Sequence, residues 1–349
     1  MIENRKEEHI NIAETKNIAA EHNPWDDIRL IHRAVPEINF DEINTEVNFL
    51  GYKFNEPFII SSMTGGTDRA KKINENLAKA AEEFKIGMGV GRIRVAVENK
   101  NISDTFSVIN NYNIPAKFAN IGAPQLVNQS SRAVTDNDID YIFNLIDAKF
   151  LIIHFNFLQE MVQPEGDRNA KGVLKRIKEL SKSYPVIAKE TGNGFSKEDA
   201  IELKDAGVKA IDVGGLGGTS FAAIEYYRAK KINNYEKMHA GETFWDWGIP
   251  SPASIRYCNV GLPVIGSGGL RNGQDIAKSI ILGAAMGAMA RNFLKDADTS
   301  YEELKNHIIN IIKDIKTTMF LTSSSNINEL KKAKFIISEP LLSWLKERD

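Results

Sequence analysis

The stretch PVIAKETGNGFSKEDAIELKDAGVKAIDVGG, residues 185–215, carries two apolar runs, PVIAKE (185–190) and KAIDVGG (209–215). Between them SKEDAIELKDAG (196–207) repeats its apolar residues at three- and four-residue spacing, the period of an amphipathic helix. Runs that are apolar throughout suit strands buried on both faces, and a strand–helix–strand order pairs them in parallel. Outward from this unit the pattern recurs. FIISS (58–62), IGMGVG (86–91), AKFANIG (116–122) and KFLIIHF (149–155) precede it, and LPVIGSG (262–268) and AAMGAMA (284–290) follow. INENLAKAAEEF (73–84), NAKGVLKRIKELSKSY (169–184) and DIAKSIILG (275–283) have the helical period. Eight such strands, without the GxGxxG that opens a dinucleotide-binding half, predict an α/β fold closed as a (β/α)8 TIM barrel rather than an open doubly wound sheet.

No linker rich in Pro, Gly or Ser divides the chain. Residues 1–57 read as an N-terminal extension, 58–335 as the barrel and 336–349 as a helical C-terminal tail. With 349 residues, 42% hydrophobic and 26% charged, the composition is that of an average globular protein. A formal charge of −2 gives no global reason to expect nucleic acid, so an anionic ligand must be met by a local site. MIENRKEEHINIAE lacks the apolar centre of a secretory signal, and SIILGAAMGAMA (279–290) is too short to span a bilayer. These features predict a soluble cytoplasmic protein with no membrane partner. A single cysteine, Cys258, excludes an internal disulfide and any multi-cysteine metal site.

A barrel places its chemistry in the loops that follow the strands. Here these are MTGGTDR, GRIR, NIGAPQ, HFNFLQEMVQPEGDR, KETGNG, GGLGGTS, SGGLRNG and ARN. SGGLRNGQDIAK (267–278) combines glycines, Arg271 and a helix start, a set of donors suited to phosphate at the position where barrels bind it. Alone, the glycine pair would be only a tight turn. GGLGGTSF (214–221), with Thr219, is either a capped turn or the other wall of the same pocket. Lys189 ends an apolar strand and needs an anion, a ring, a carbonyl, or a carboxylate neighbour such as Glu190. Glu160 is the best metal candidate, because magnesium often uses one carboxylate with ligand phosphates and waters; capping or pairing is its alternative. On physics alone NRKEEH (4–9) is a solvated charge run. FWDWGIPSP (244–252) reads as a packed turn. No spacing supports zinc or a nucleophile triad.

Taken together, the loops resemble one family, the type 2 isopentenyl-diphosphate isomerases, which are flavin-dependent TIM-barrel enzymes. The likeness runs from NRKEEH to roughly residue 330 through SMTGG (62–66), ANIGAPQL (119–126), HFNFLQEMVQPEGDR (154–168), KETGNGFS (189–196), GGLGGTS, DWGIPSPAS (246–254) and SGGLRNGQDIAKSIILGA. It implies interconversion of isopentenyl and dimethylallyl diphosphate, with FMN, Mg2+, and NADPH as the reductant of the flavin. Tetrameric or octameric assembly is also implied. By the same resemblance Ser62, Met63, Thr64, Asn120, Lys189 and Thr219 line the flavin, with Gly269, Arg271, Ala290 and Arg291 near its phosphate. Arg5, Lys6, Arg94, His154 and Asn156 face the substrate, Gln159 lies beside the double bond, and Glu160 binds magnesium. The terminal basic cluster becomes a lid over the diphosphate.

A 1,3-proton shift needs an acid and a base, and a glutamine amide is poor at both. The reduced flavin is the expected proton carrier, with Lys189 offsetting its charge and Gln159 orienting the alkene. One loop departs from the family, which usually reads Gly-Ser-Gln-Arg or Gly-Ser-Met-Arg; here it is Gly91-Arg92-Ile93-Arg94. Arg92 then stands where a serine would meet the flavin. Two alternatives follow: an FMN-dependent 2-hydroxyacid oxidase, although GGLGGTSF has neither the His nor the Arg that chemistry needs, or a non-catalytic flavin or prenyl-diphosphate binder.

Overall fold

A computed structural model describes residues 2–346, and the side chains of residues 7–346. Eight parallel strands close into a barrel: β1 Phe58–Ile60, β2 Met88–Gly89, β3 Lys117–Gly122, β4 Phe150–Phe155, β5 Val186–Glu190, β6 Ala210–Asp212, β7 Val264–Ser267 and β8 Met286–Met289. Each pairs with the next, and β8 returns to β1 through Gly287–Phe58, Ala288–Ile59 and Met289–Ile60. Every apolar run named above supplies one strand, because a side chain there faces either the barrel interior or the surrounding helices and neither environment is aqueous.

The helices that position the site are α1 Ile2–Thr15, α2 Asp68–Glu83, α3 Phe157–Val162, α4 Phe221–Lys231, α5 Gly273–Ile281 and α6 Arg291–Thr299. Their starts are written locally. Thr67 accepts from Ala70 N to open α2, Ser220 from Ala223 N to open α4, and Asn272 from Asp275 N to open α5. Each side-chain oxygen satisfies one of the orphan donors of a first turn. On α2 the buried Ala70, Ile73, Leu77, Ala78 and Ala81 form the inward stripe.

Residues 2–57 are built into the barrel rather than set beside it. The antiparallel hairpin of residues 47–49 and 52–54 plugs the end where the strands begin, bringing Phe49 and Tyr52 against Phe150, which stacks on Phe118 at 5.1 Å. Residues 28–30 pair antiparallel with residues 335–337. At the opposite end of the barrel α1 lies across the mouth. Arg69 at the start of α2 holds it through Glu7, Asn11 and Glu14, and also reaches Asp298. No helix among the described residues is long and apolar enough to cross a membrane.

Candidate active site

Two cavities of about 510 and 450 Å³ open at the carboxyl ends of the strands. They share Ser62, Met63, Thr64, Lys189, Thr191 and Phe221, with His9 and Ile10 of α1 above. The larger is walled by the two glycine loops and the first turn of α6; the smaller is walled by the loops after β2, β3 and β4.

The glycine loops pack on each other. A Cβ at Gly218 would stand 2.5 Å from Gly269 N, and one at Gly269 would stand 2.5 Å from Gly217 O. These glycines therefore let two backbones touch, and Gly269 also holds a φ of +75°. A third backbone joins them. Ala20 N donates to Gly218 O, Ser220 N to Ile18 O, Asn23 Nδ2 to Gly269 O and Trp25 Nε1 to Gly268 O, all within 2.7–2.9 Å. The N–H groups of Gly218, Gly269 and Leu270 have no acceptor among the described residues. Buried Ser62 Oγ also has no hydrogen-bond partner among the described residues. Unpaired donors facing a cavity are costly unless an anion or a polar ring meets them, so these residues fit a phosphorylated flavin.

The cations nearby are already engaged. Arg271 donates from Nε to Asp275, from Nη1 to Asp26 and from Nη2 to both. Arg291 lines the cavity but donates to the Ala13 and Lys16 carbonyls at the end of α1. Thus the backbone is the freer phosphate donor, and the two arginines hold the extension in place.

Lys189 Nζ lies 2.5 Å from Asp212 Oδ2 and 3.4 Å from Ser267 Oγ, which itself donates to Asp212 Oδ1. Its partner is therefore Asp212 on the adjacent strand, in register with it, and not Glu190. Glu190 turns away to accept from Asn193 N and Gly194 N. Burial pushes the Glu190 carboxyl up to about 8, against the opposing pull of those N–H donors and Lys189.

On the smaller cavity, His154 is held by two partners: its Nδ1 meets Asn120 Oδ1 at 2.7 Å, and its Nε2 meets Arg92 Nη2 at 3.2 Å. Burial foremost, then the charges of Arg92 and Lys189, lowers the His154 pKa well below its ordinary value. The neutral ring thus donates to Asn120 and accepts from Arg92. On α3, Gln159 Nε2 donates to Glu225 Oε1 of α4 at 3.0 Å, while Asn156 Nδ2 reaches Gln159 Oε1 and Glu160 Oε1. Burial alone would raise the Glu225 pKa, but the bond and charge of His9, with Arg228 and Gln159, bring it down to about 2. His9 Nε2 is 3.3 Å from Glu225, so α1, α3 and α4 meet at this carboxylate.

Glu160, expected to hold magnesium, is surrounded by donors. Asn156 Nδ2 and Arg92 Nη2 face Oε1, and Gln163 Nε2 and Asp167 N face Oε2. Four donors match the lone pairs of one carboxylate, so this arrangement does not fit a metal ligand. No group of three or more His, Cys, Asp or Glu among the described residues could hold a metal ion.

The residues named from sequence divide between the two cavities. Thr219, Gly269, Arg271, Ala290 and Arg291 line the larger; Arg94, His154 and Gln159 line the smaller; Ser62, Met63, Thr64 and Lys189 lie on their common wall. Arg92 and Asn120, expected beside the flavin, line only the smaller cavity, where they bracket His154. Asn156 and Glu160 line neither and act behind Gln159 and Arg92. The side chains of Arg5 and Lys6 lie outside the described residues. Sequence reading missed Asp212, Glu225, Asn23 and Trp25. A lone acid in the apolar run KAIDVGG, opposite the lone lysine of PVIAKE, was the available signal for the first. Glu225 three residues before Arg228, on the helix after a glycine loop, was the signal for the second.

The barrel and its paired glycine loops define the class: the family model for FMN-dependent dehydrogenases matches residues 111–337. The flavin-binding domain of baker's yeast flavocytochrome b2 superposes with a TM-score of 0.64 at 15% identity, over 98% of this chain and 88% of that one. A mandelate oxidase variant gives 0.60 at 13% identity, over 95% and 92%. At such identities the likeness is one of fold. Among sequence relatives, a Picrophilus torridus isopentenyl-diphosphate delta-isomerase is 70% identical over 345 residues, covering 99% of both chains. Its namesake from Thermoplasma volcanium is 61% identical over 99% of both, and one from Archaeoglobus fulgidus 44% identical over 98% and 97%. The chain belongs to the isopentenyl-diphosphate delta-isomerase family of enzymes.

Proposed function

We propose that the protein interconverts isopentenyl and dimethylallyl diphosphate with FMN in the larger cavity and the prenyl diphosphate in the smaller. The supporting observation is the wall the cavities share: Ser62–Thr64 and Lys189 touch both, so two ligands would meet there. Bound reduced FMN, with NADPH as its reductant, would supply a proton donor and acceptor at ring nitrogens. The chain's own residues position and exclude. Asp212 fixes the Lys189 ammonium so that it faces the common wall and offsets negative charge there. Glu225 locks the Gln159 amide with its carbonyl toward Asn156, which leaves Gln159 to orient an alkene rather than to move a proton. His154, kept neutral, and Arg94 border the phosphate end. Helix α1, whose His9 and Ile10 line both cavities, closes the mouth against water. Magnesium has no step in this account, because the Glu160 oxygens are already saturated.

The test is an anaerobic assay with FMN and NADPH that follows isopentenyl diphosphate into dimethylallyl diphosphate. Turnover is expected with FMN and none with 5-deazaFMN; retained turnover with the deaza analogue rejects the proton-carrier role.

A further inference from the structure

The loop after β2 carries Gly91-Arg92-Ile93-Arg94, and its two middle residues part company. Ile93 is fully buried in the core. The Arg92 guanidinium instead lies at the smaller cavity, with Nη2 3.2 Å from His154 Nε2 and 3.5 Å from Glu160 Oε1. Its side chain is 24% exposed, against 3% for that of Glu160, so it stands between the buried carboxylate and the open cavity. A guanidinium keeps its charge at any pH a protein meets and presents a planar fork that matches phosphate oxygens.

A multiply charged anion cannot settle beside a buried carboxylate unless a cation lies between them, since like charges a few ångström apart repel strongly where water is scarce. Elsewhere that intermediary could be a divalent ion. Here the guanidinium already occupies the place, the other Glu160 contacts are N–H donors, and the neutral His154 accepts from Arg92 rather than competing with it. Resting on the functional reading above, we propose that Arg92 is a diphosphate-binding residue that replaces a divalent ion between Glu160 and the phosphates. Anion binding in the smaller cavity then needs no metal.

Calorimetric titration of the FMN-loaded full chain with inorganic pyrophosphate, in EDTA and in excess magnesium, tests this. For the unaltered protein the two dissociation constants should agree within about threefold, since the fixed guanidinium supplies the charge. Arg92→Ser should weaken binding in EDTA by roughly 30-fold or more, with magnesium restoring part of the loss, and Arg92→Lys should fall between. Binding by the unaltered protein that is tighter in magnesium by about tenfold or more overturns the proposal, as does Arg92→Ser binding that is unchanged in EDTA. FMN absorbance of each variant reports an intact larger cavity. Isopentenyl diphosphate turnover on the same samples separates this proposal from the functional reading. Metal-independent pyrophosphate binding without turnover supports the role of Arg92 and overturns the isomerase assignment; turnover with metal-dependent binding does the reverse.

Discussion

Glu225 is wholly buried, yet His9, Arg228 and Gln159 all converge on it. Its folded pKa of about 2 lies below the ordinary 4.5, so between those values the unfolded chain binds more protons. The stability it contributes is therefore present above pH 4.5 and lost as the pH falls toward 2. Acid titration of unfolding should show Glu225→Gln with a flatter limb across that window; an unchanged limb would remove Glu225 from the account. Because the same carboxylate fixes Gln159, the variant should also lose roughly 100-fold in kcat, the scale set by misplacing a positioned group. Lys189 and Asp212 make a second buried pair. Lys189→Met strands the Asp212 charge and should cost about 3–5 kcal/mol in denaturant unfolding, whereas Lys189→Met with Asp212→Leu should recover most of it. A double variant no more stable than the single one contradicts that pairing.

At the scale of elements, the decisive contact is between loops. Gly218 and Gly269 let the turns after β6 and β7 touch, and the span of residues 18–25 is bonded to both. Gly269→Ala would force its Cβ onto the Gly217 carbonyl in a backbone conformation unfavourable to alanine. The resulting strain of about 1–3 kcal/mol should appear as FMN affinity weaker by roughly tenfold or more while the barrel still unfolds cooperatively. Fluorescence titration of FMN reads this directly, and unaltered affinity would mean that loop contact is not what shapes the pocket. All eight strands were legible because their side chains face apolar surroundings on both sides, a local property written in consecutive residues. The glycine loops were legible as walls of one pocket, yet their mutual packing was not, since it depends on which backbone lies opposite. For the same reason Lys189 was visible as a buried charge while its partner, 23 positions later on a neighbouring strand, was not. Arg92 was visible as a departure, and only the placement of His154 and Glu160 gave its direction.

Across the whole molecule, residues 2–57 supply four distinct parts: a floor hairpin, a wall at residues 18–25, the helix α1 over the mouth and a strand at residues 28–30 that pairs with residues 335–337. Reading them as an extension with a lid over the diphosphate left out the hairpin, the wall and the strand, because a polar segment without strand periodicity gives no local sign of what it will pack against. Removing residues 1–16 takes away His9 and the roof but leaves the hairpin and the wall. The shortened protein should keep its cooperative unfolding and lose kcat/KM by roughly 100-fold or more, as expected when a closing element that excludes water is deleted. Steady-state kinetics beside thermal melting would reveal it; full activity would relieve α1 of that duty.

The pairing of residues 28–30 with residues 335–337 sets an order of manufacture. A ribosome makes the first strand of this clasp before any barrel strand and its partner after all eight. Until residue 335 emerges, then, residues 28–30 lack their strand partner, and the neighbouring segment into Trp25 is held only by the loops after β6 and β7. A nonsense codon ahead of residue 335 would yield polypeptide in which the early strand stays single.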